Sequence, residues 1–274
     1  MIIDGRKIAS EVLLDLKQKV SQLPFVPVFC DVLVGEDPAS KQYVRMKAMA
    51  AENIGIKFRA ANFSADIPAG DLIAQIKTIS HEPNMSGLIV QLPLPAGLQR
   101  QEILDAIEPE IDVDCMGHKN LKDFYEEKIF FVPPTAAAIM AILDSLDVDL
   151  SAKIFLVMGQ GELVGKPVAF LLKRKGFDVN IADINTKNTD ELLKSSDVVI
   201  SATGKAGLIT GGKIKPGAIV IDAGTSESNG GIVGDADFIS VLSVASYLSP
   251  VPGGVGPVTV AMLLGNVVKA AKIK

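Results

Sequence analysis

The chain has no tryptophan, and aromatic residues make up only 5% of its 274 residues, so its cores must be aliphatic. Cysteine is nearly absent: Cys30 and Cys115 are the two in the chain, which excludes a disulfide framework. Cys30 lies in an apolar run and reads as a small core residue. No His, Cys or carboxylate grouping has metal-ligand spacing, and no Ser/His/Asp or Cys/His nucleophile arrangement is present. There is no basic run, and the net charge is -5, which argues against a nucleic-acid partner. No stretch reaches the roughly 18 to 20 apolar residues of a membrane span. The start, Met1-Ile2-Ile3-Asp4-Gly5, lacks the segments of a signal peptide. These absences together predict a soluble protein of a reducing compartment, the cytoplasm, with no membrane partner.

What is present is aliphatic and periodic. Hydrophobic residues make up 48% of the chain, and its length suits one large or two medium domains. Strand-like and helix-like segments alternate, which predicts an α/β fold with a mainly parallel sheet. The pattern predicts a strand over 26–34, a helix over 40–53 ended by Gly55, and a short buried strand over 87–91. A helix over 136–146 follows. Beyond it the alternation tightens: strand 153–158, helix 163–175, strand 178–183, helix 189–194, and strands 197–201 and 218–222. The expected division is an N-terminal α/β domain, 1–135, and a Rossmann-like dinucleotide-binding domain, 136–256, with a cleft between them. The last helix, 257–274, is apolar nearly all round and is expected to pack back on the first domain.

The most distinctive segment is Ser249-Pro-Val-Pro-Gly-Gly-Val-Gly-Pro-Val-Thr259. It carries three prolines and three glycines but neither the serine content nor the charge of a flexible linker. Gly permits close backbone approach, while Pro removes donors and fixes φ. Pro257 suits the first turn of the helix that follows. Such a loop offers rigid, bare backbone to a flat, hydrogen-bonding ligand.

A second motif follows the strand at 153–158: Gly159-Gln160-Gly161-Glu-Leu-Val-Gly165. Gly159 permits a tight turn, Gly161 lets a pyrophosphate approach, and Gly165 allows close helix–strand packing. The pyrophosphate would lie at the helix N-terminus, where amides and the helix dipole favour anions. Asp183 ends the next strand. A carboxylate there can bond the ribose hydroxyls and repels a 2′-phosphate, which favours NAD over NADP. Lys187 nearby softens that repulsion. Ser201-Ala-Thr203-Gly204 and Asp222-Ala-Gly-Thr225 end two further strands with small residues that leave room for ribose and nicotinamide.

Tyr43 and Lys47 are four apart on a predicted helix and share one face. Gln91 lies at a buried strand end and needs a hydrogen-bond partner, which an ammonium at Lys47 would provide. Ile111-Asp-Val-Asp114 adds a carboxylate.

Four segments in order, Gly35-Glu-Asp-Pro-Ala-Ser-Lys-Gln-Tyr43-Val-Arg-Met-Lys47, Val90-Gln-Leu-Pro-Leu-Pro95, Asp112-Val-Asp114 and Pro250-Val-Pro252-Gly253-Gly254-Val-Gly256-Pro257, resemble the bifunctional methylenetetrahydrofolate dehydrogenase/cyclohydrolase family across almost the whole chain. The resemblance implies a two-domain subunit paired as a homodimer. It implies oxidation of methylenetetrahydrofolate to the methenyl form with NAD or NADP, and hydrolysis of that to 10-formyltetrahydrofolate. Carried over by position, Lys47 is the central catalytic residue, Tyr43 stacks on the folate, Gln91 holds Lys47 and Asp114 binds the pterin edge. The loop residues Pro252, Gly253, Gly254 and Gly256 face the folate. Gly159, Gln160, Gly161, Gly165, Asp183, Thr203, Gly204 and Thr225 bind the dinucleotide.

The match also departs from the family pattern. Gln160-Gly161 replaces the usual Arg-Ser or Ala-Ser, and Asp183-Ile-Asn-Thr186 replaces His-Ser-Arg-Thr. Both changes remove groups suited to a 2′-phosphate. Cys115 stands where a glycine usually follows Asp114, and Pro134 where a cysteine is common. Cys115 reads as a tolerated small residue rather than a reactive thiol, and His118 as a surface-loop histidine. A monofunctional NAD-dependent methylenetetrahydrofolate dehydrogenase, a shikimate-type dehydrogenase and a catalytically silent nucleotide-binding protein are the alternatives. Gln91 and the 250–257 loop are unexplained by a shikimate-type enzyme.

Overall fold

The computed structural model describes residues 1–128, 130–228 and 231–274. The chain folds into two compact units, one of residues 11–134 with 260–274 and one of residues 1–10 with 135–259.

The first of these units holds β1 (Val28–Val34), α2 (Pro38–Asn53), β2 (Lys57–Phe63), α3 (Ala69–Ser80), β3 (Met85–Val90), α4 (Arg100–Leu104) and α5 (His118–Tyr125), together with most of α1 (Gly5–Ser21) and of α10 (Val255–Ala271). Its sheet is parallel, in the order β2-β1-β3. The central strand and β3 are almost wholly buried, as expected when helices cover both faces of a parallel sheet. One core joins Val32, Leu72, Ile76, Leu88 and Ile103. Asp37 caps α2, accepting the amide of Ser40 at 2.7 Å, and Pro38 occupies the first turn, where its missing N–H costs nothing. A Cβ on Gly87 of β3 would lie 2.7 Å from Val267, so only glycine lets this part of α10 settle against the strand. Asn266 of the same helix donates to the carbonyls of Val113 and Val132 at 2.8 and 2.9 Å.

The other unit contains α6 (Pro134–Ser145), β4 (Ile154–Met158), α7 (Gly165–Arg174), β5 (Asp178–Ala182), α8 (Thr189–Ser195), β6 (Val198–Ser201), β7 (Ile219–Asp222), a hairpin of β8 (Ser226–Ser228) and β9 (Gly231–Val233), α9 (Phe238–Leu242) and β10 (Tyr247–Leu248). Five of its strands form one parallel sheet, in the order β10-β7-β6-β4-β5. β4, β6 and β7 are short aliphatic runs buried on both faces, which is why their positions are plain from the sequence. The last helix begins at Val255, two residues before the expected start, so Pro257 lies inside its first turn. Among the described residues no helix is long and apolar enough to cross a membrane.

Candidate functional site

α2 carries Tyr43 and Lys47 one turn apart. Lys47 is 7% exposed, an unusual state for a lysine. Its Nζ donates to Gln91 Oε1 at 2.7 Å, and Gln91 Nε2 in turn donates to the carbonyl of Leu92 at 2.8 Å. Lys47 and Gln91 thus meet as the sequence suggests. Nζ also lies 2.7 Å from Oδ2 of Asp31, a fully buried carboxylate on the central strand β1. Nothing in the sequence marks Asp31, because its neighbours, Val-Phe-Cys and Val-Leu-Val, announce only a core strand.

Asp114 comes from the segment that precedes α5. The shape of that segment depends on Asp112, 2% exposed, whose carboxylate accepts the amides of Gly117 (2.9 Å) and Met116 (3.3 Å) and Nδ2 of Asn120 (3.1 Å). Asp112 is thereby occupied with its own backbone, while Asp114 is half-buried. Desolvation pushes the Asp114 carboxyl up to about 6, opposed by the Lys47 charge and reinforced by Asp112 and Asp31. Between the two aspartates and α5, Cys115 adopts φ +58, the left-handed region. This explains structurally why glycine suits the position. The Cys115 side chain is buried, its thiol is pushed up by burial and by Asp112 and Asp114, and its Sγ faces the carbonyl of Phe131 at 3.9 Å. His118 is an exposed partner of Asp105, with Nδ1 2.6 Å from the carboxylate. Among the described residues no side-chain hydrogen bond ties Tyr43 to this cluster.

In the other unit β4 runs into the glycine turn. Gly159 has φ +90, and a Cβ there would lie 2.3 Å from the carbonyl oxygen of Ala202. A Cβ on Gly165 would lie 1.9 Å from the carbonyl oxygen of Gly159, so the turn and the start of α7 touch backbone to backbone. A Cβ on Gly161 would meet nothing within 4 Å, and no side chain caps α7. Room at the second glycine and an uncapped helix start fit a dinucleotide pyrophosphate. Gln160 folds back on the turn, donating to the carbonyl of Gly159 at 2.8 Å.

Asp183 follows β5 and is exposed. Its Oδ1 accepts the amide of Asn185 at 2.9 Å and the hydroxyl of Thr186 at 3.1 Å, and these bonds hold its carboxyl below the usual range. The Thr203–Gly204 segment beyond β6 and the Thr225 segment beyond β7 are linked: Ser226 Oγ donates to the carbonyl of Gly204 at 2.8 Å. Both are organised by Asp235, which no sequence pattern singled out. Fully buried, it accepts from Ser201 Oγ (2.6 Å), the amide of Thr203 (2.7 Å) and the amide of Lys205 (2.8 Å).

The proline–glycine loop belongs to this unit. Gly253 has φ +107, and the amide of Gly254 donates to the carbonyl of Pro250 at 2.8 Å. A Cβ on Gly5, the first residue of α1, would lie 1.8 Å from the carbonyl oxygen of Gly254, so the start of the chain braces the loop. Gly256 lies in the first turn of α10 with open space around it.

Residues 3–114 match the tetrahydrofolate dehydrogenase/cyclohydrolase catalytic domain, and residues 133–274 match the NAD(P)-binding domain of the same family. A curated relative, "Bifunctional protein FolD" of Nautilia profundicola, is 41% identical over 275 residues, covering 99% of this chain and 97% of its own. Among solved structures, the bifunctional FolD enzyme of Campylobacter jejuni is 36% identical with a TM-score of 0.94, covering 100% of this chain and 99% of its own. The Trypanosoma brucei dehydrogenase-cyclohydrolase, solved with NADP and an inhibitor, is 33% identical with a TM-score of 0.94, covering 100% and 97%. On both domain matches and full-length likeness, the chain belongs to the tetrahydrofolate dehydrogenase/cyclohydrolase family.

Proposed function

We propose that the protein oxidises 5,10-methylenetetrahydrofolate to the 5,10-methenyl form with NAD(P), and hydrolyses that product to 10-formyltetrahydrofolate. The observation that carries this reading is the buried Lys47 ammonium, fixed by Gln91 and Asp31 beside Asp114. In this reading residues 1–135 with 257–274 bind folate, residues 136–256 bind the dinucleotide, and the subunits pair as a homodimer.

The bound nicotinamide supplies the hydride acceptor for the oxidation. The methylene carbon is flanked by two nitrogens that share the resulting positive charge, so the oxidation needs little acid or base from the protein. Placement matters most. Tyr43 packs against the folate rings. Asp114, ionised above about pH 6, accepts from the donor edge of the pterin. The rigid backbone of Pro252, Gly253, Gly254 and Gly256 bounds the same ligand. Gly159, Gln160, Gly161 and Gly165 receive the pyrophosphate, and Thr203, Gly204 and Thr225 the nicotinamide side. Asp183 receives the ribose hydroxyls, and its charge supports a preference for NAD over NADP. Hydrolysis does require proton transfer, and in this reading Lys47 performs it.

The test is turnover of methylenetetrahydrofolate with NAD and NADP in parallel, following methenyl absorbance and reduced cofactor. Reduced cofactor that accumulates without persistent methenyl product is expected, faster with NAD. No turnover with either dinucleotide sinks the reading, and faster turnover with NADP overturns the role of Asp183. Lys47→Met is expected to abolish hydrolysis while dinucleotide binding persists; near-normal hydrolysis removes Lys47 from the mechanism.

A further inference from the structure

Asp31 is an anomaly in its strand. It sits at the centre of the three-stranded sheet, paired with Ala60 on one side and Ile89 on the other, and has no exposed surface. A lone carboxylate there is costly unless its charge is met. Lys47 Nζ meets Oδ2 at 2.7 Å, yet Oδ1 has no hydrogen-bond partner among the described residues. An anion satisfied on one oxygen only, in an apolar sheet, stands close in energy to its neutral acid. In keeping with this, burial pushes the Asp31 carboxyl up against the opposing pull of Lys47.

We propose that Asp31 and Lys47 form one proton-exchanging pair for the hydrolysis step, with Asp31 as the positioning residue that stores a proton while Lys47 touches the reacting atoms. The inference rests on the folate hydrolysis assigned above. The proton moves from Lys47 Nζ to Asp31 Oδ2, which converts ammonium and carboxylate into amine and carboxylic acid without changing the net charge of the pair. The amine then takes a proton from water as the water oxygen bonds to the methenyl carbon of the cationic substrate, leaving a neutral carbinol. As the carbon–nitrogen bond breaks, its electron pair stays on the departing nitrogen, which takes the proton back from Lys47. The carbinol O–H proton leaves to solvent as C=O forms. Asp31 then returns its proton to Lys47 Nζ, so the pair ends as ammonium and carboxylate as it began, and one proton is released per turnover. Gln91 keeps Nζ in register throughout by accepting one of its N–H groups.

The charged groups around the pair are few. Asp114 and Asp112 approach from the 111–117 segment and Arg100 from α4, while Arg59 and Glu82 act on the Cys30 side of β1. Tyr43 lies one turn away on α2. Among the described residues no hydrogen bond joins Asp112, Asp114, Arg59, Glu82 or Tyr43 to Asp31, so replacing Asp31 changes the pair and leaves their contacts in place.

The experiment is the pH profile of methenyltetrahydrofolate hydrolysis by the full chain, corrected for the uncatalysed rate. Wild type is compared with Asp31→Asn and Asp31→Val. Asn removes the proton store at constant shape. Val replaces the buried carboxyl with an apolar side chain suited to the strand, and keeps the test available if Asn does not fold. Without the store, Lys47 must lose its proton to solvent, which a lone lysine does only in alkaline solution. Both variants are expected to lose on the order of a hundredfold in kcat at neutral pH with KM nearly unchanged, and to regain activity as pH rises. A wild-type profile in the folded variants overturns the proposal. So does a profile displaced toward acid, which would make Asp31 a plain counter-ion. If the wild type itself fails to hydrolyse the methenyl substrate, it is the underlying assignment that fails.

Discussion

Asp235 holds Thr203 by its backbone: Oδ2 accepts the Thr203 amide at 2.7 Å, while Oδ1 accepts that of Lys205 at 2.8 Å. One buried carboxylate therefore sets the path of the loop beyond β6. A Cβ on Gly224 would lie 2.1 Å from the same carboxylate, so the segment beyond β7 is moulded around it too. Asp235→Ala leaves these amides, and the buried Ser201 hydroxyl, without their acceptor. Hydrogen bonds to charged groups are worth about 1.5–3 kcal/mol each, and the expected loss is on the order of 3–5 kcal/mol in urea unfolding. Asp235→Asn, which keeps the shape, is expected to raise KM for the dinucleotide several-fold with a smaller loss of stability. Unchanged KM in a folded Asn variant would separate this carboxylate from the cofactor loop.

Asp235 lies 30 to 34 residues from the groups it binds, which is why no local pattern reveals it. Asp31 was hidden for the opposite reason. Its strand is so apolar that the pattern registers burial and says nothing of a charge within it. Strands β4, β6 and β7 were legible because buried parallel strands are unbroken aliphatic runs. β2, Lys-Phe-Arg-Ala-Ala-Asn-Phe, was not: it is an edge strand with mixed exposure, and its ladder with β1 is fixed only by tertiary pairing. The Lys47–Gln91 contact was legible because a buried amide and a helical lysine each need a partner. The bracing of the 250–256 loop by Gly5 was not, since nothing in Asp4-Gly5-Arg6 announces a contact almost 250 residues away.

That contact gives a second prediction. A methyl group on Gly5 would sit 1.8 Å from the carbonyl oxygen of Gly254, so Gly5→Ala must push α1 and the loop apart. Gly165→Ala meets the carbonyl oxygen of Gly159 at 1.9 Å in the same way. Each is expected to cost about 1–3 kcal/mol, as overpacking does. Their functional effects should differ. Gly165→Ala weakens NAD(P) binding in direct titration, while Gly5→Ala raises KM for folate with dinucleotide affinity retained. Equal effects on both ligands would contradict this division.

The cysteines should be inert in the folded protein. Cys30 and Cys115 are both buried; the Cys30 thiol is pushed up to about 12 by burial, and that of Cys115 is also raised by burial. Only the thiolate is nucleophilic, so neither is expected to react with an iodoacetamide probe at neutral pH until the protein unfolds, when two thiols appear together. At Cys115 the left-handed backbone sets a separate expectation. Cys115→Gly relieves a conformational cost of about 1–2 kcal/mol but loses buried side chain and gains chain entropy when unfolded, so it should be near neutral. Cys115→Val adds β-branching at φ +58 and is expected to destabilise by more than about 2 kcal/mol. A Val variant as stable as wild type would mean that the backbone had left the left-handed region.

Asp222 gives stability a slope against pH. It is 2% exposed and accepts the amides of Gly224, Asp235 and Ala236 at 2.8–3.1 Å. Burial nevertheless outweighs these bonds, and with the nearby Asp235 charge it pushes the carboxyl up to about 6. The unfolded chain titrates near 3.9. Between those two values the folded protein binds the extra proton, so this group's contribution is fully present below about pH 4 and is lost as pH rises through 6. The span is on the order of 3 kcal/mol. Asp183, Asp37 and Asp237, all held low by hydrogen bonds, act in the opposite sense and lose their contribution only in more acid solution. Asp222→Asn preserves the shape and removes the titration. Urea unfolding of both proteins from about pH 4 to pH 7 should therefore show wild type losing stability relative to the variant as pH rises, with the change centred between 4 and 6. A constant difference across that range would place the Asp222 carboxyl at its ordinary value. A difference of the opposite slope would mean that its three amide donors outweigh its burial.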